Sequence, residues 1–252
     1  MRRDNTQPVA VITGGAGGIG VAVCEALATA GFAVVVGYRR SSGAAAALAA
    51  RLPGGGHVAL AAPVTDSAAL ARLAEQVESR FGRADVLVNC AGMTRFVPHA
   101  ELDQLDDALA DQILAINIRG PFAATRALLP LLKRSDLAGG AVVINISSIA
   151  AITAMGSNVL YCASKAALDN MSKSLARALA PQVRVLSVSP GLVDTDFVQS
   201  LDSRWRDEQA TRTPLGRLAA PAEVGRAVVV AVRDMTFSTG SVIAVDGGRP
   251  LG

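Results

Sequence analysis

The sequence has few cysteines, and those present are not spaced like metal ligands. Cys24, Cys90 and Cys162 are an odd number with no short Cys-x-x-Cys interval. We therefore predict no metal site and expect free thiols, as in a reducing compartment. The cytoplasm is the expected location.

Long apolar runs and long basic runs are also missing, and each absence argues against a class of partner. Apolar runs such as Ala33–Val36 and Ala141–Ile144 are far too short to cross a bilayer, so no membrane partner is predicted. Residues 1–5 carry positive charge without a following apolar stretch, which argues against a secretory signal. The net charge is +3, but no Lys/Arg run exceeds two residues and only 4% of residues are aromatic, so no nucleic-acid partner is predicted.

Short β-branched runs alternate with longer Ala/Leu-rich stretches along the chain. The short runs are almost continuously apolar, which is typical of parallel strands covered on both faces. The predicted strands are Val9–Thr13, Val34–Gly37, Val58–Ala61, Val86–Asn89, Val142–Ser147, Val183–Val188 and Val242–Val245. The predicted helices are Ile19–Ala30, Ser41–Arg51, Ser67–Phe81, Asp107–Lys133, Tyr161–Ala180 and Pro221–Arg233. The expected cap residues are Asp66, Gly31, Gly82 and Pro221.

This alternation predicts one α/β domain over residues 1–252, with a doubly wound, seven-stranded parallel sheet and helices on both faces. Residues 1–140 are expected to form the cofactor half and residues 141–252 the catalytic half. The stretch from Leu192 to Thr213 lies outside the rhythm and is expected to be an irregular lid or binding segment.

A glycine-rich turn follows the first predicted strand and opens the first helix. Its candidate cofactor residues are Gly14, Gly15, Gly17, Gly18, Ile19 and Gly20. Glycines there permit a tight turn, and backbone N–H groups at the start of the helix can bind a pyrophosphate. The alternatives are a purely structural turn and the similar loop of methyltransferases.

The end of the second strand bears on the choice of cofactor. An acidic residue about 20 positions after the glycines normally binds the ribose hydroxyls of NAD. Here that position holds Tyr38, followed by Arg39 and Arg40, and arginine is suited to bidentate binding of phosphate. We therefore favour NADP(H) over NAD(H); the alternative is an ordinary basic surface turn.

Tyr161 and Lys165 lie four residues apart, hence on one face of a predicted helix. A nearby ammonium group favours the phenolate form and could prepare the tyrosine for proton transfer. Because such pairs are common on helix surfaces, the pair alone is weak evidence. Ser148 at the end of the fifth strand could hold a substrate oxygen. Asn117 lies in an apolar helical stretch. It could be a functional residue or an ordinary helix asparagine whose hydrogen bonds are satisfied, and the pattern favours neither.

In their order and spacing these elements resemble the short-chain dehydrogenase/reductase family over essentially the whole chain. Tyr161 and Lys165 match the family's Tyr-x-x-x-Lys signature, Ser148 stands 13 residues before the tyrosine, and Asn117 matches the asparagine of a catalytic tetrad. The glycine turn is similar to the family's cofactor motif. The other matching positions include Asn89, Ala91, Gly92, Pro190, Gly191, Val193, Thr195 and the turn Asp246-Gly247-Gly248.

The resemblance implies a Rossmann-like fold and hydride transfer between the nicotinamide and a carbonyl or secondary alcohol carbon. It assigns proton transfer to Tyr161 and holding of the substrate oxygen to Ser148. Lys165 would favour the phenolate and bind the nicotinamide ribose, and Asn117 would support a water that links Lys165 to solvent. The favoured small-molecule substrate is a 3-oxoacyl thioester; sugars, polyols, steroids, small alcohols and a non-catalytic nucleotide sensor remain alternatives.

Two positions depart from the family pattern. Pro63 replaces an aspartate that contacts adenine, which leaves the Val64 backbone N–H as the expected contact and Asp66 as a helix cap. Cys90 replaces an asparagine, so we expect a thiol near the cofactor that is sensitive to oxidation or alkylation.

The expected walls of the substrate pocket are the segments 93–99, 149–160 and 192–213, with His99 as a surface residue. The resemblance also implies a homotetramer or homodimer through the long helices. An apolar stripe on one of them fits that interface or the chain's own core equally well; it consists of Leu168, Met171, Leu175 and Leu179.

Overall fold

A single sheet of seven parallel strands passes through the molecule. The computed structural model describes residues 7–251. Its strands are β1 (Val9–Thr13), β2 (Ala33–Tyr38), β3 (Val58–Ala61), β4 (Val86–Asn89), β5 (Ala141–Ile146), β6 (Val183–Pro190) and β7 (Val242–Val245). They are ordered β3-β2-β1-β4-β5-β6-β7, and each neighbouring pair is parallel. The predicted fold class is confirmed.

Two predictions include residues at the ends of the chain. The predicted domain includes residues 1–6 and 252, and residues 1–5 are predicted not to begin a secretory signal. Both predictions concern residues that lie outside the described part. Within the described part, no helix has the length and apolar character needed to cross a membrane.

Helices cover both faces of the sheet. They are α1 (Gly18–Thr29), α2 (Ser42–Arg51), α3 (Ser67–Phe81), α4 (Asp107–Leu114), α5 (Gly120–Leu132), α6 (Ala150–Thr153), α7 (Val159–Leu179), α8 (Asp196–Gln199), α9 (Ser203–Thr211) and α10 (Pro221–Arg233). Helices α1, α2 and α10 bury apolar side chains against one face, and α3, α5 and α7 against the other. Alternate residues of β1 to β6 pack into the two cores, which is why these strands are apolar on both sides, whereas the edge strand β7 exposes Val242 and Ala244 on one face.

The predicted helix Asp107–Lys133 is wrong in one respect: it is interrupted. A π-helical turn, Ala115–Arg119, separates α4 from α5. Pro121 follows at the start of α5 and has no N–H, so the carbonyl of Asn117 cannot receive the hydrogen bond that an α-helix would give it. The interruption therefore falls on the residue that the sequence marks for function, as π-turns often do.

The stretch 192–213 was expected to be irregular, and this expectation is also wrong. It contains the short helices α8 and α9. Thr195 and Asp202 cap them by accepting hydrogen bonds from the backbone N–H groups of Val198 and Trp205. The helices were missed because they are short and polar and show no clear apolar period.

The apolar stripe on α7 packs mainly within this chain. Leu168 is buried, and Leu175 and Leu179 pack against the core on that face of the sheet. Leu168, Leu175 and Leu179 thus contribute to the chain's own packing, Met171 is only partly buried, and the homotetramer stays a prediction.

A buried arginine joins β6 to the end of α10. Arg184 is 6% exposed and donates to the carbonyls of Gly139, Ala231, Val232 and Met235 at 3.0–3.1 Å. Burial lowers the pKa of Arg184 from its ordinary value. The carbonyls at the negative end of the α10 dipole compensate for the lost hydration, so this cation is stable although no acidic side chain of residues 7–251 pairs with it.

Replacing Arg184 by methionine, which keeps an unbranched apolar stem without any donor, is expected to lower the free energy of unfolding by about 3 kcal/mol, because buried carbonyls lose their donors. Urea denaturation followed by circular dichroism measures this. The matched control is Arg134→Met, which removes an exposed ion pair with Glu78 and should cost less than about 1 kcal/mol. Equal effects of the two substitutions would contradict the proposed role of Arg184.

Candidate active site

A cleft of about 780 Å³ opens at the carboxyl edge of the sheet, where β1 and β4 are neighbours and the chain order reverses. Ligands of doubly wound sheets bind at such a point. Fourteen of the predicted site residues line it: Gly14, Gly17, Gly18, Ile19, Gly20, Tyr38, Arg39, Arg40, Val64, Ala91, Gly92, Tyr161, Lys165 and Thr195. The predicted residues outside this lining are Gly15, Asn89, Asn117, Ser148, Pro190, Gly191 and Val193.

The glycine turn forms one end of the cleft. Gly14 has a φ of 66°, and a Cβ there would lie 2.8 Å from the Cα of Ala91. Gly17 is the N-cap of α1 and has no side chain, so it makes no side-chain hydrogen bond to the N–H groups in the first turn. Residues of this turn line the cleft. These N–H groups and the positive end of the helix dipole make the turn suitable for an anion such as a pyrophosphate.

Gly15 has a packing role in the structure. A Cβ at this position would lie 3.1 Å from the side chain of Val36 and 3.2 Å from the Sγ of Cys24. Gly15 thus lets the turn pack on the core, and its assignment as a cofactor contact stays a prediction. Thr195 faces the turn from the opposite side, because a Cβ on Gly18 would lie 2.8 Å from its Cγ2 atom.

Basic residues lie beside the second strand at the far side of the turn. Tyr38 is half-buried, and the exposed residues Arg39 and Arg40 follow it in the cleft lining. Among the described residues, neither arginine forms an ion pair within 4.0 Å, so both guanidinium groups are available to an anionic ligand. The lining also includes Ser41 and Thr65, which the prediction did not contain. Asp66 caps α3 by accepting from the N–H of Ala69 at 3.0 Å, as predicted.

Tyr161 and Lys165 lie together at the other end of the cleft, on α7. Tyr161 is half-buried, and Lys165 is 6% exposed, with its Nζ 5.7 Å from the centre of the tyrosine ring. The ammonium group donates to the carbonyl of Ile146 at 2.8 Å, its one hydrogen bond to the part of the chain that is described. An ammonium has three donors, so two remain for a bound ligand or water. The structure thus places a buried ammonium group beside the tyrosine ring.

The two serines at the end of β5 have different surroundings. The Oγ of Ser148 accepts from the N–H of Ala150 at 3.2 Å, in the turn that begins α6. Ser147 lines the cleft and is 3% exposed, and its Oγ has no hydrogen-bond partner in the described chain. Ser147 is thus an additional candidate contact. The sequence marks both serines by their place at the strand end but does not tell which one faces the cleft.

Asn117 joins the π-turn to two other elements. Its Oδ1 accepts from the N–H of Met93 at 2.8 Å, and its Nδ2 donates to the carbonyl of Met93 at 3.0 Å and to the Oγ of Ser164 at 3.1 Å. The side chain therefore fixes the segment after β4 against α7. That Asn117 supports a water molecule stays a prediction. The atom suited to this role is the main-chain carbonyl oxygen of Asn117, because it lacks the hydrogen bond that an α-helix would give it.

Asn89 does not point into the cleft. The strand register places Asn89 beside Asn145, and Asn145 beside Ser187. The Nδ2 of Asn89 donates to the Oδ1 of Asn145 at 2.8 Å, and Asn145 in turn donates to Ser172 on α7. A buried amide needs such partners, and neighbouring strands provide them. The amide nitrogen of Asn89 is therefore held within the sheet, while its buried Oδ1 has no hydrogen-bond partner among the described residues, and its assignment as a cofactor contact stays a prediction.

Three predicted residues outside the cleft lining make contacts within the chain: Pro190, Gly191 and Val193. The Pro190 carbonyl accepts from the N–H of Ile149, and the N–H of Gly191 donates to the carbonyl of Val245. Val193 is buried beside Ala219. Their roles toward a cofactor stay predictions.

Cys90 lines the cleft, but its thiol is not activated. Burial raises its pKa to about 11, although the charge of Lys165 lowers it slightly. The thiolate is the reactive form, and it is scarce at neutral pH when the pKa is that high. The raised pKa argues against high reactivity, and the expected sensitivity to oxidation or alkylation stays a prediction. All three cysteines are free thiols, as predicted.

Segments of the predicted pocket walls meet near Tyr161. The N–H of Val97 donates to the carbonyl of Ser157 at 2.8 Å, which joins the segments 93–99 and 149–160. Met93, Thr94 and Phe197 line the cleft. Exposed apolar side chains of the same segments are Phe96, Ile152, Met155 and Phe197. His99 lies at the surface, as predicted.

Comparison with known proteins is consistent with this geometry. The family model described as enoyl-(acyl carrier protein) reductase matches residues 14–249. A protein assigned as a short-chain dehydrogenase/reductase from Burkholderia xenovorans has the same fold, with a TM-score of 0.91 and 37% identity over 98% of this chain and 99% of that one. The chain belongs to the short-chain dehydrogenase/reductase family. It is an oxidoreductase that acts on carbonyl or alcohol groups, and the family binds NAD(P).

Relatives in this family differ in their named substrates. A protein named as ketoacyl reductase 2 of the granaticin polyketide synthase, from Streptomyces violaceoruber, is 39% identical over 97% of this chain and 96% of that protein. D-threitol dehydrogenase from Mycolicibacterium smegmatis is 38% identical over 96% and 93%, respectively. A gluconate 5-dehydrogenase from Burkholderia cenocepacia, solved with NADP and tartrate, has a TM-score of 0.87 and 28% identity over 97% of this chain and 96% of that one.

Proposed function

We propose that this oxidoreductase uses NADP(H) and reduces a carbonyl to a secondary alcohol with Tyr161 as the proton donor. The observation that carries the proposal is one cleft that has Arg39 and Arg40 at one end and Tyr161 and Lys165 at the other. An anion-binding helix terminus lies in the same cleft. The arrangement suits a long, multiply charged dinucleotide whose reactive end reaches the tyrosine.

The residues of the cleft fit such a cofactor. The first turn of α1 would hold the pyrophosphate, and Arg39 and Arg40 would bind a ribose phosphate through paired N–H donors. No acidic residue is among those that line the second-strand end of the cleft, where NAD-binding sheets place a carboxylate. Lys165 has two spare donors for the nicotinamide ribose, and Ser147 has a buried hydroxyl without a partner among the described residues.

The chain's own groups supply the proton chemistry. When bound, the cofactor supplies the hydride that reaches the carbonyl carbon. Tyr161 donates the proton of its phenol to the carbonyl oxygen, while Ser148 holds that oxygen by a hydrogen bond. Lys165 stabilises the negative charge left on the phenol oxygen. The carbonyl of Asn117 supports the water through which the proton is replaced from solvent.

A 3-oxoacyl thioester is the first substrate that we propose. Apolar side chains near the tyrosine, such as Met93 and Phe197, suit an acyl chain, and the exposed residues Arg95 and Arg204 suit its anionic carrier. The relative from the granaticin polyketide synthase supports this choice, and the D-threitol dehydrogenase supports a polyol as the second candidate. A nucleotide sensor without catalysis is disfavoured because Asn117, Ser148, Tyr161 and Lys165 are all present.

We also propose that the whole chain is one domain and that it assembles as a homotetramer or homodimer. The single domain is supported by the continuous seven-stranded sheet, and the assembly is supported by the family membership.

The test is cofactor oxidation by the full chain with a panel of 3-oxoacyl thioesters, sugars, polyol-derived ketones, steroids and small cyclic ketones. We expect kcat/KM to be highest with a 3-oxoacyl thioester, and at least tenfold higher with NADPH than with NADH. A clear preference for NADH would refute the assignment of Arg39 and Arg40. Saturable NADPH fluorescence without turnover of any carbonyl would support the sensor.

A further inference from the structure

We propose that Asn158 is a positioning residue for the reaction at Tyr161, an inference that rests on the proposed function. Asn158 is 0% exposed and stands immediately before α7, the helix that carries Tyr161 and Lys165. Its Oδ1 accepts from the backbone N–H of Tyr161 at 2.7 Å. The side chain thus caps the catalytic helix at the catalytic residue itself.

The amide group of Asn158 also holds the wall of the cleft. Its Nδ2 donates to the carbonyl of Arg95 at 2.8 Å and to the Oγ1 of Thr94 at 3.2 Å. Thr94 lines the cleft together with Tyr161. One buried side chain therefore fixes the start of α7 on one side and the substrate wall on the other. An amide is suited to this task, because it carries an acceptor and two donors in one rigid plane.

Two asparagines hold the same segment from different elements. Asn117 binds both main-chain atoms of Met93, and Asn158 binds the next two residues of the segment. Asn117 acts from the π-turn and Asn158 from the start of α7. Since Asn117 also contacts Ser164 on α7, the segment 93–95 is fixed relative to the catalytic helix at two points.

This connection matters for proton transfer. The phenol of Tyr161 must lie within hydrogen-bond reach of the substrate oxygen, and displacements of about 1 Å can lower a rate about 100-fold. Asn158 forms no bond to the phenol group, so it acts through the backbone of Tyr161 and through Thr94. Loss of the side chain should therefore lower kcat, while the pyrophosphate end of the cleft keeps its affinity.

Two substitutions separate the capping of α7 by Asn158 from its hydrogen bonds to Thr94 and Arg95. Asn158→Ala removes both, and we expect kcat to fall about 50-fold. Asn158→Ser restores a cap acceptor for the N–H of Tyr161 but does not reach the carbonyl of Arg95. For this variant we expect a melting temperature close to that of the wild type and a kcat at least fivefold below it. The Kd for NADPH should stay within about twofold in both.

Asp66→Ala is the matched control, because it removes the side-chain cap of α3. It should lower the melting temperature without lowering kcat. A kcat of Asn158→Ser above one fifth of the wild-type value would overturn the proposal, since Asn158 would then be only a helix cap. If Asn158→Ala does not fold, the serine variant still gives this result.

Hydrogen exchange provides a readout that needs no turnover. In Asn158→Ser, amides of the segment 93–97 should exchange at least tenfold faster, while those of α7 keep their protection. Unchanged exchange in this segment would also overturn the proposal. If the wild-type chain turned over no carbonyl but the exchange result held, the proposed function and the role of Asn158 in the reaction would both fail, and only the connection that Asn158 makes between α7 and the segment 93–95 would stand.

Discussion

Replacing Tyr161 with phenylalanine is expected to lower kcat for carbonyl reduction by about 10³-fold. The substitution removes only the phenol oxygen and leaves the ring in place, so the substrate oxygen loses its proton donor. General acid catalysis by a positioned side chain contributes about 10²- to 10⁴-fold. Lys165 stays buried beside the ring, but it cannot replace the phenol, because its one described hydrogen bond directs it to the carbonyl of Ile146.

Cofactor binding by Tyr161→Phe checks that the loss is chemical. The Kd for NADPH, followed by its fluorescence, should stay within about threefold of the wild type, because the glycine turn and both arginines are untouched. Thermal unfolding should also be nearly unchanged, since the backbone N–H of residue 161 still binds Asn158. Retention of more than a tenth of the wild-type kcat would show that another group donates the proton.

Replacing both Arg39 and Arg40 with alanine is expected to raise the KM for NADPH about 100-fold and to leave the KM for NADH nearly unchanged. Both side chains are exposed at the second-strand end of the cleft, and in the described chain they form no ion pair that would compete for them. Hydrogen bonds to a charged group contribute roughly 1.5–3 kcal/mol each, so loss of two accounts for such an increase. Steady-state kinetics at fixed ionic strength measures it, because salt screens exposed charges.

The control for this pair is Arg80→Ala, which removes an exposed arginine from the last turn of α3 and lies outside the cleft lining. It should leave the KM for both cofactors unchanged. An equal increase for NADPH and NADH in the double variant would mean that the arginines bind a part common to both cofactors, and the preference for NADP(H) would be withdrawn.

The fold could be predicted almost completely from the sequence, because its signals are local and repeated. Strands β1, β3, β4 and β7 have the predicted bounds, since short apolar runs between turn residues predict buried strands. The short helices α8 and α9 were missed because polar surface segments of that length show no period. The break between α4 and α5 was missed because a π-turn differs from an α-helix only by a shifted hydrogen bond.

The position of the candidate site in the fold could be predicted from the sequence, but the contacts of its side chains could be predicted less well. The cleft contains Tyr161, Lys165 and the glycine turn, whose places follow from the ends of strands and the start of helices. The direction of a side chain at a strand end depends on the register with neighbouring strands. For this reason the sequence did not predict that Asn89 binds Asn145, and Ser147 was not selected although it lines the cleft. Arg184 and Asn158 have partners distant in the sequence and were missed entirely.

The hydrogen bonds of Asn117 have a consequence for how substrate preference can change. Asn117 binds the main-chain N–H and carbonyl of Met93 and makes no hydrogen bond to its side chain. The backbone at this position is therefore held independently of which residue occupies it. Mutation can exchange a side chain that lines the cleft while the backbone around the tyrosine keeps its geometry. Residue 93 is thus a suitable first position for redesigning the enzyme toward a new carbonyl compound.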